Sequence, residues 1–468
     1  MKKVAIVGGG VAGLTAGIFA LKNGFACDIY EKNAVMGGNL TGWQRGGCHI
    51  DNCIHWLNGT QKGTPLHALW EEVGALDATE VVQPAAFYTS EYDGRRLSLW
   101  RDAARTRREM ILVSPADRRE IDRFMDAVEA VAKNPRNLAG MWLRYGGMSL
   151  STLSERFLHP LLRHFMTDLL TGAFSAAGLI VAYAAFINGN ADIPRGGSAA
   201  MARRMAARFE SLGGGIYTDA AVQGAEIADG RVTALLLADG ARVGADAFLF
   251  ACDPTVTFGT LLPAGYMPAP LRRAYTNSAA YPVFSSVHAA FSVDSAAVED
   301  GTVVFSCAPF AVMGREHTRL PLRSFLHEPD FAPAGKTVVE TLLFQDAAES
   351  DRWQQLKKTP EAYAEKKAAL ADAIAARIKE RYPAAAESLT LLDCWTPATY
   401  RRYFDSFHGA YMAFAVTGRS RIPTGCSPRI FGLSNALLAT QWQKAPGGLP
   451  NAAAAGKRAA KAAEILLA

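Results

Sequence analysis

The first stretch of the chain constrains its fold more than anything that follows. Lys3-Val4-Ala5-Ile6-Val7 reads as a short strand. It leads into Gly8-Gly9-Gly10-Val11-Ala12-Gly13, a G-x-G-x-x-G, and Ala16, Ile18, Phe19, Ala20 and Leu21 continue at helical spacing. Asn23-Gly24 ends that helix, and a second strand, Ala26-Cys27-Asp28-Ile29-Tyr30, runs into Glu31. Strand, glycine turn, helix, strand and acid in that order open a doubly wound α/β domain that binds a dinucleotide. Each glycine has its own task. Gly8 permits the tight turn, Gly10 lets the backbone approach a pyrophosphate, and Gly13 packs helix on strand. Val11 and Ala12 begin the helix, whose N-terminus offers free N–H groups and a positive dipole end. Glu31 follows Gly13 by 18 residues, where a carboxylate accepts from ribose hydroxyls and repels a 2′-phosphate.

Composition agrees with a folded protein that has a large core. The 468 residues are 50% hydrophobic and 20% charged, which excludes a disordered chain. A net charge of +5 is too small and too spread to suggest nucleic acid. Seven scattered cysteines without a C-x-x-C fit neither a disulfide framework nor a zinc site, and a reduced, cytoplasmic protein is expected, with no metal. The apolar N-terminus is not read as a secretion signal, because Gly8, Gly9, Gly10, Gly13 and Gly17 punctuate it. Leu169 to Ala191 carries no charge and is long enough to span a bilayer. Its glycines, asparagines and Ser175 favour a buried helix instead. No hydrolase triad order, H-E-x-x-H or Walker loop is present.

Beyond Glu31, Tyr30-Glu31-Lys32, Gly37-Gly38 and Gly47-Cys48-His49-Ile50-Asp51 resemble the FAD-binding opening of the flavin amine oxidase superfamily, in its phytoene desaturase and retinol saturase-like branch. Asn39 stands where that superfamily has an arginine. Ile193-Pro194-Arg195-Gly196-Gly197, Trp395 to Tyr400 and Gly409-Ala410-Tyr411 are similar to further motifs of the desaturase branch. Pro446-Gly447-Gly448-Leu449-Pro450, opening an Ala-rich helix, is similar to the closing FAD motif. The resemblance implies FAD as cofactor, held by Gly8, Gly10, Val11, Ala12, Gly13, Glu31, Lys32, Gly38, Asn39, Val222, Gly448 and Leu449. It implies a Rossmann-type α/β domain built from 1–90, 192–270 and 405–468, interleaved with an α+β substrate domain of 91–191 and 271–404. Ile430-Phe431-Gly432 is read as a strand of the first domain. Only one G-x-G-x-x-G unit is present, so no built-in nicotinamide nucleotide domain is expected.

The activity so implied is hydride transfer between flavin N5 and a hydrophobic, isoprenoid or polyene-like substrate, desaturating or saturating a C–C bond. Two rivals are an amine oxidase acting on a C–N bond and a prenyl or lipid carrier of the GDP-dissociation-inhibitor type. Oxygen, a quinone and a nicotinamide stay open as electron acceptors. The segment from Leu179 to Ile187 reads as a wall of the substrate cavity or, equally, as ordinary core. His55, Tyr183 and Trp442 are the catalytic candidates, with Gln441, Lys444, Arg401, Arg402 and Tyr403 nearby in sequence or motif. Cys53 and His49 are weaker candidates, as covalent flavin anchors. Nine arginines between Arg95 and Arg123 read either as a solvated face or as a basic rim for peripheral membrane contact.

Overall fold

The computed structural model describes residues 1–420 and 426–468. Strand Lys3–Val7 pairs in parallel with Ala26–Tyr30 on one side and Ala247–Phe250 on the other. Gly215–Tyr217 and Ala436–Leu438 complete a five-stranded parallel sheet. A parallel sheet is covered on both faces, so its strands read as unbroken apolar runs, and Val4, Ala5 and Ile6 are wholly buried. Helix Val11–Lys22 covers one face, and the last helix, Leu449–Leu467, lies across it. Small residues allow that crossing: a Cβ on Gly456 would sit 2.3 Å from the Ala12 carbonyl oxygen. On the other face, Val222–Ala228, Arg231–Leu237 and Arg242–Val243 form an antiparallel meander.

The second layer is a seven-stranded sheet in the order Thr390–Trp395, Ser285–Asp294, Lys336–Gln345, Arg315–Ser324, Thr302–Val312, Ala86–Tyr92, Arg95–Trp100. Alternation divides its faces. Leu320 and Leu322 pack beneath helix Pro360–Arg381, while Arg319, Pro321 and Arg323 turn to the other side. Strand Ala86–Tyr92 belongs to this sheet, although residue 90 was the expected edge of the dinucleotide domain.

Helix Ala176–Ile187 is the uncharged segment, and it lies in a helical core with Phe124, Leu162 and Phe165. No helix among the described residues is long and apolar enough to cross a membrane. The arginine-rich stretch is largely self-neutralised. Arg107 meets Asp122, Asp126 and Glu129; Arg105 meets Glu109; Arg101 meets the buried Asp192. That arrangement is a solvated, paired face and offers no particular argument for lipid contact.

One expected strand is misplaced. Ile430-Phe431-Gly432 turns instead, with Gly432 at φ +88° and Phe431 in solvent. The strand is Ala436–Leu438, whose alanine and leucines carry no β-branched signature.

Candidate functional site

A cavity of about 1040 Å³ opens between the two sheets, at the upper end of the range for ligand sites. One half is the dinucleotide loop. Gly8 holds φ +102° and donates its N–H to the Tyr30 carbonyl at 2.9 Å. Gly13 has no room for a side chain, since a Cβ would lie 2.0 Å from the Gly8 carbonyl oxygen. Gly10 differs from both. Its backbone is ordinary, at φ −73°, and the nearest protein atoms to a Cβ there are 3.8 and 3.9 Å away, on Gly37 and Gly38. The space at Gly10 is therefore kept clear for something other than the protein's own packing. Val11 and Ala12 at the first helix and Gly448 and Leu449 at the last line the same cavity, so two helix N-termini face it. Gly448 is held by the Gln441 side chain, whose Oε1 accepts its N–H at 2.6 Å.

Glu31 is buried on this wall. Its Oε2 accepts from the Gly9 N–H at 2.8 Å and its Oε1 from the Asn33 backbone and side chain, which fixes the carboxylate at the end of its strand. Val222 lines the cavity from the meander. Lys32 also lines it, but its Nζ is engaged by Asp405 and the Arg402 carbonyl. Asn39 is committed elsewhere: its Nδ2 donates to the Tyr411 carbonyl at 2.8 Å and its Oδ1 accepts from Asn52. An arginine-like phosphate contact from position 39 is thus replaced by a brace between two loops. Open glycine cradle, converging helix ends and ribose-level acid together fit a flavin dinucleotide.

The candidate catalytic residues separate. His55 lines the cavity, its ring 6.4 Å from that of Tyr411. Burial, and then the Arg323 guanidinium and His288, hold its pKa well below the ordinary imidazole range, so it is neutral. Trp442 reaches the cavity edge but packs among Tyr275, Phe407 and Phe414. Tyr183 is not at the cavity. Its hydroxyl donates within the helical core to the Trp100 carbonyl and accepts from Thr106 Oγ1, both at 2.8 Å. The wall that Leu179 to Ile187 could have formed is supplied instead by Trp56, Phe87, Leu169, Leu170, Leu342 and Phe344. Gln441, Arg401 and Tyr403 line the cavity, whereas Lys444 is exposed. Cys53 lies on the wall as a thiol pushed up to about 12 by burial, a poor nucleophile. Asp51 caps helix Gly197–Ser211 through the Ser198 N–H at 2.6 Å and is structural.

Two features escaped the sequence reading. Arg315, His317, Arg319, Pro321 and Arg323 alternate along one strand and all line the cavity. Period-two spacing was visible there, but strand Arg315–Ser324 was not recognised as such. The second is a buried polar chain. Glu340, pushed up to about 8 by burial, meets His288 Nδ1. His288, held at about 3 by burial, has Tyr400 Oη 3.0 Å and Ser286 Oγ 2.8 Å from its Nε2. Tyr400 donates to Asn52 Oδ1 at 3.0 Å, as does Trp395 at 2.9 Å, and Asn52 donates to Asn39. A protonated Glu340 donating to a neutral His288 satisfies every direction along this chain. The Trp395 to Tyr400 motif thus builds the support of the cavity.

The profile described as flavin containing amine oxidoreductase matches residues 11–463. The chain belongs to that family. Its cofactor is accordingly FAD. Among curated relatives, the phytoene desaturase (lycopene-forming) of Pseudescherichia vulneris is 26% identical over 299 residues, 58% of this chain and 60% of that protein. A 4,4'-diapolycopene oxygenase of a Methylomonas species is 26% identical over 52% of this chain and 54% of its own. The chain therefore matches little more than half the length of these relatives. Among solved structures, a triple mutant of putrescine oxidase superposes with a TM-score of 0.67 at 16% identity, covering 98% of both chains. An oxidoreductase from Methanosarcina mazei gives 0.63 at 15%, covering 98% of this chain and 99% of its own. At such identities these two speak for the fold.

Proposed function

We propose that this family member is an FAD-dependent desaturase of a lipophilic, polyene-like substrate. The carrying observation is a single cavity in which an open dinucleotide cradle runs into a wall of Trp56, Phe87, Leu169, Leu170, Leu342 and Phe344. When bound, FAD supplies a two-electron acceptor for a hydride. Gly8, Gly10, Gly38, Val11, Ala12, Glu31, Gly448 and Leu449 would hold it. The apolar wall binds the chain of the substrate and keeps water out, which disfavours separated charge. Forming a C=C bond also releases a proton from the neighbouring carbon, which passes to solvent; burial and the Arg323 cation disfavour an imidazolium, so His55 is a neutral hydrogen-bonding group on the wall. The names of the carotenoid-modifying relatives support this reading.

An amine is disfavoured as substrate, because a protonated nitrogen would meet the Arg323 cation on the wall. A carrier role would leave the glycine cradle and Glu31 without use. Anaerobic titration of the FAD-loaded protein with isoprenoids, long-chain lipids and amines tests the proposal. Bleaching of the flavin band by the apolar compounds is expected. Bleaching by amines alone, or a purified protein that holds no flavin, would overturn it.

A further inference from the structure

Three cations stand on the cavity face of strand Arg315–Ser324, and two of them are neutralised within the protein. Arg315 pairs with Asp346 and Glu349, and Arg319 with Asp168. Arg323 is different. It is 7% exposed, and among the described residues no carboxylate oxygen lies within 4.0 Å of it. Its Nη1 donates to the Ile54 carbonyl at 2.7 Å and its guanidinium carbon sits 4.4 Å from the Phe325 ring centre. The guanidinium carries five N–H donors, so most are left to the cavity. Asp51 and Asp300 feel its charge without reaching ion-pair distance, and a buried cation without a direct partner is expensive.

The surroundings show what would pair with it. Glu340 lines the same cavity and its Oε2 is buried without a partner. The carboxyl is protonated at neutral pH, so it leaves the Arg323 charge in place; its one proton is given to His288, and Oε2 is an acceptor only. His55 is neutral and stands on the same wall. Arg323 and His55 also border a second, small cavity lined by Pro84, Ala86, Phe186 and Ile193, which gives a ligand end room beyond the guanidinium.

We propose that Arg323, flanked by Glu340 and His55, anchors the carboxylate head of an otherwise apolar substrate whose chain lies along Trp56, Phe87, Leu169 and Leu170. A planar guanidinium suits a carboxylate because it can donate two parallel hydrogen bonds. The assignment narrows the lipophilic reading, on which it rests, from a pure hydrocarbon to an amphiphilic acid.

The test compares palmitate, methyl palmitate and butyrate as probes of the FAD-loaded protein, by calorimetry and by perturbation of the flavin spectrum, in wild type, Arg323→Gln and Arg323→Lys. Wild type is expected to bind palmitate about ten- to a hundredfold more tightly than its ester, the worth of a charge-assisted contact. Arg323→Gln should erase that preference while leaving ester affinity and FAD content unchanged, and Arg323→Lys should keep part of it. Equal binding of acid and ester by wild type would overturn the anchor while sparing the lipophilic reading. Arg323-dependent binding of butyrate with no gain from chain length would do the reverse. Binding of none of the three would overturn both. Loss of FAD or of ester affinity in both variants would make Arg323 a structural or cofactor-facing residue and likewise overturn the anchor.

Discussion

Replacing Glu340 with glutamine isolates the burial of one carboxyl. Glu340 is 3% exposed, and its pKa is pushed up to about 8, mainly by desolvation and against the pull of Arg323. In the unfolded chain it titrates near 4.5. Between those two values the folded protein keeps a proton that the unfolded chain has released. Folding stability then falls as pH rises, by about 1.4 kcal/mol per pH unit. Below about 4.5 both states are protonated and the group contributes no slope; above about 8 both are ionised and the loss is complete. Glutamine keeps the shape and does not titrate. The stability of Glu340→Gln relative to wild type should therefore climb by about 3 kcal/mol between pH 5 and pH 7.5. His288 pulls the other way, since burial holds it at about 3 and the unfolded chain takes up its proton first as pH falls. Its contribution is present above about 6.5 and is lost as pH falls toward 3. It is shared by both proteins and drops out of the difference. Urea unfolding at fixed FAD concentration, followed by tryptophan fluorescence at each pH, reads the quantity directly. A difference that is flat across this window would mean that Glu340 is ionised in the folded protein, and the buried chain to Asn52 would then run with different protons.

Three other outcomes are expected. Gly10→Val should leave the circular dichroism spectrum unchanged and abolish flavin retention, because a Cβ there meets no protein atom closer than 3.8 Å and intrudes only on a ligand. Glu31→Ala should weaken FAD binding by about 1–3 kcal/mol, read by equilibrium release of flavin fluorescence. Tyr183→Phe should cost about 1 kcal/mol of stability through the lost bonds to Trp100 and Thr106, with flavin content and anaerobic bleaching unaltered.

The dinucleotide half was legible because it is local. Lys3 to Glu31 states its own turn, helix and acid within one stretch of sequence, and the observed strands Lys3–Val7 and Ala26–Tyr30 have the bounds read from it. The substrate half was not, since its wall is assembled by pairing between distant strands. Uncharged helix Ala176–Ile187 looked like a cavity wall, yet an apolar helix can face a core equally well, and tertiary packing decided. His55 could be named from its neighbourhood in sequence. Glu340 and His288 could not, because nothing in Thr337 to Phe344 or in Val287 to Val293 shows that the two strands pair and bring the carboxyl to the ring. Asn39 was seen as a departure from an arginine, but its role as a brace required Tyr411 and Asn52 in place.

The five-stranded sheet also sets an order of events during synthesis. Its central strand, Lys3–Val7, is made first, but one of its two neighbours, Ala247–Phe250, is made some 240 residues later and the edge strand Ala436–Leu438 later still. At ribosomal speed that gap is on the order of ten to fifty seconds. Throughout it, a strand that is apolar from Val4 to Val7 has one open edge and must be shielded from other chains. The cradle closes only when Gly448 and Leu449 arrive. Flavin can therefore reward only a polypeptide already made through Leu449, and a yellow colour in a cell extract reports on chains extended at least that far as well as folded.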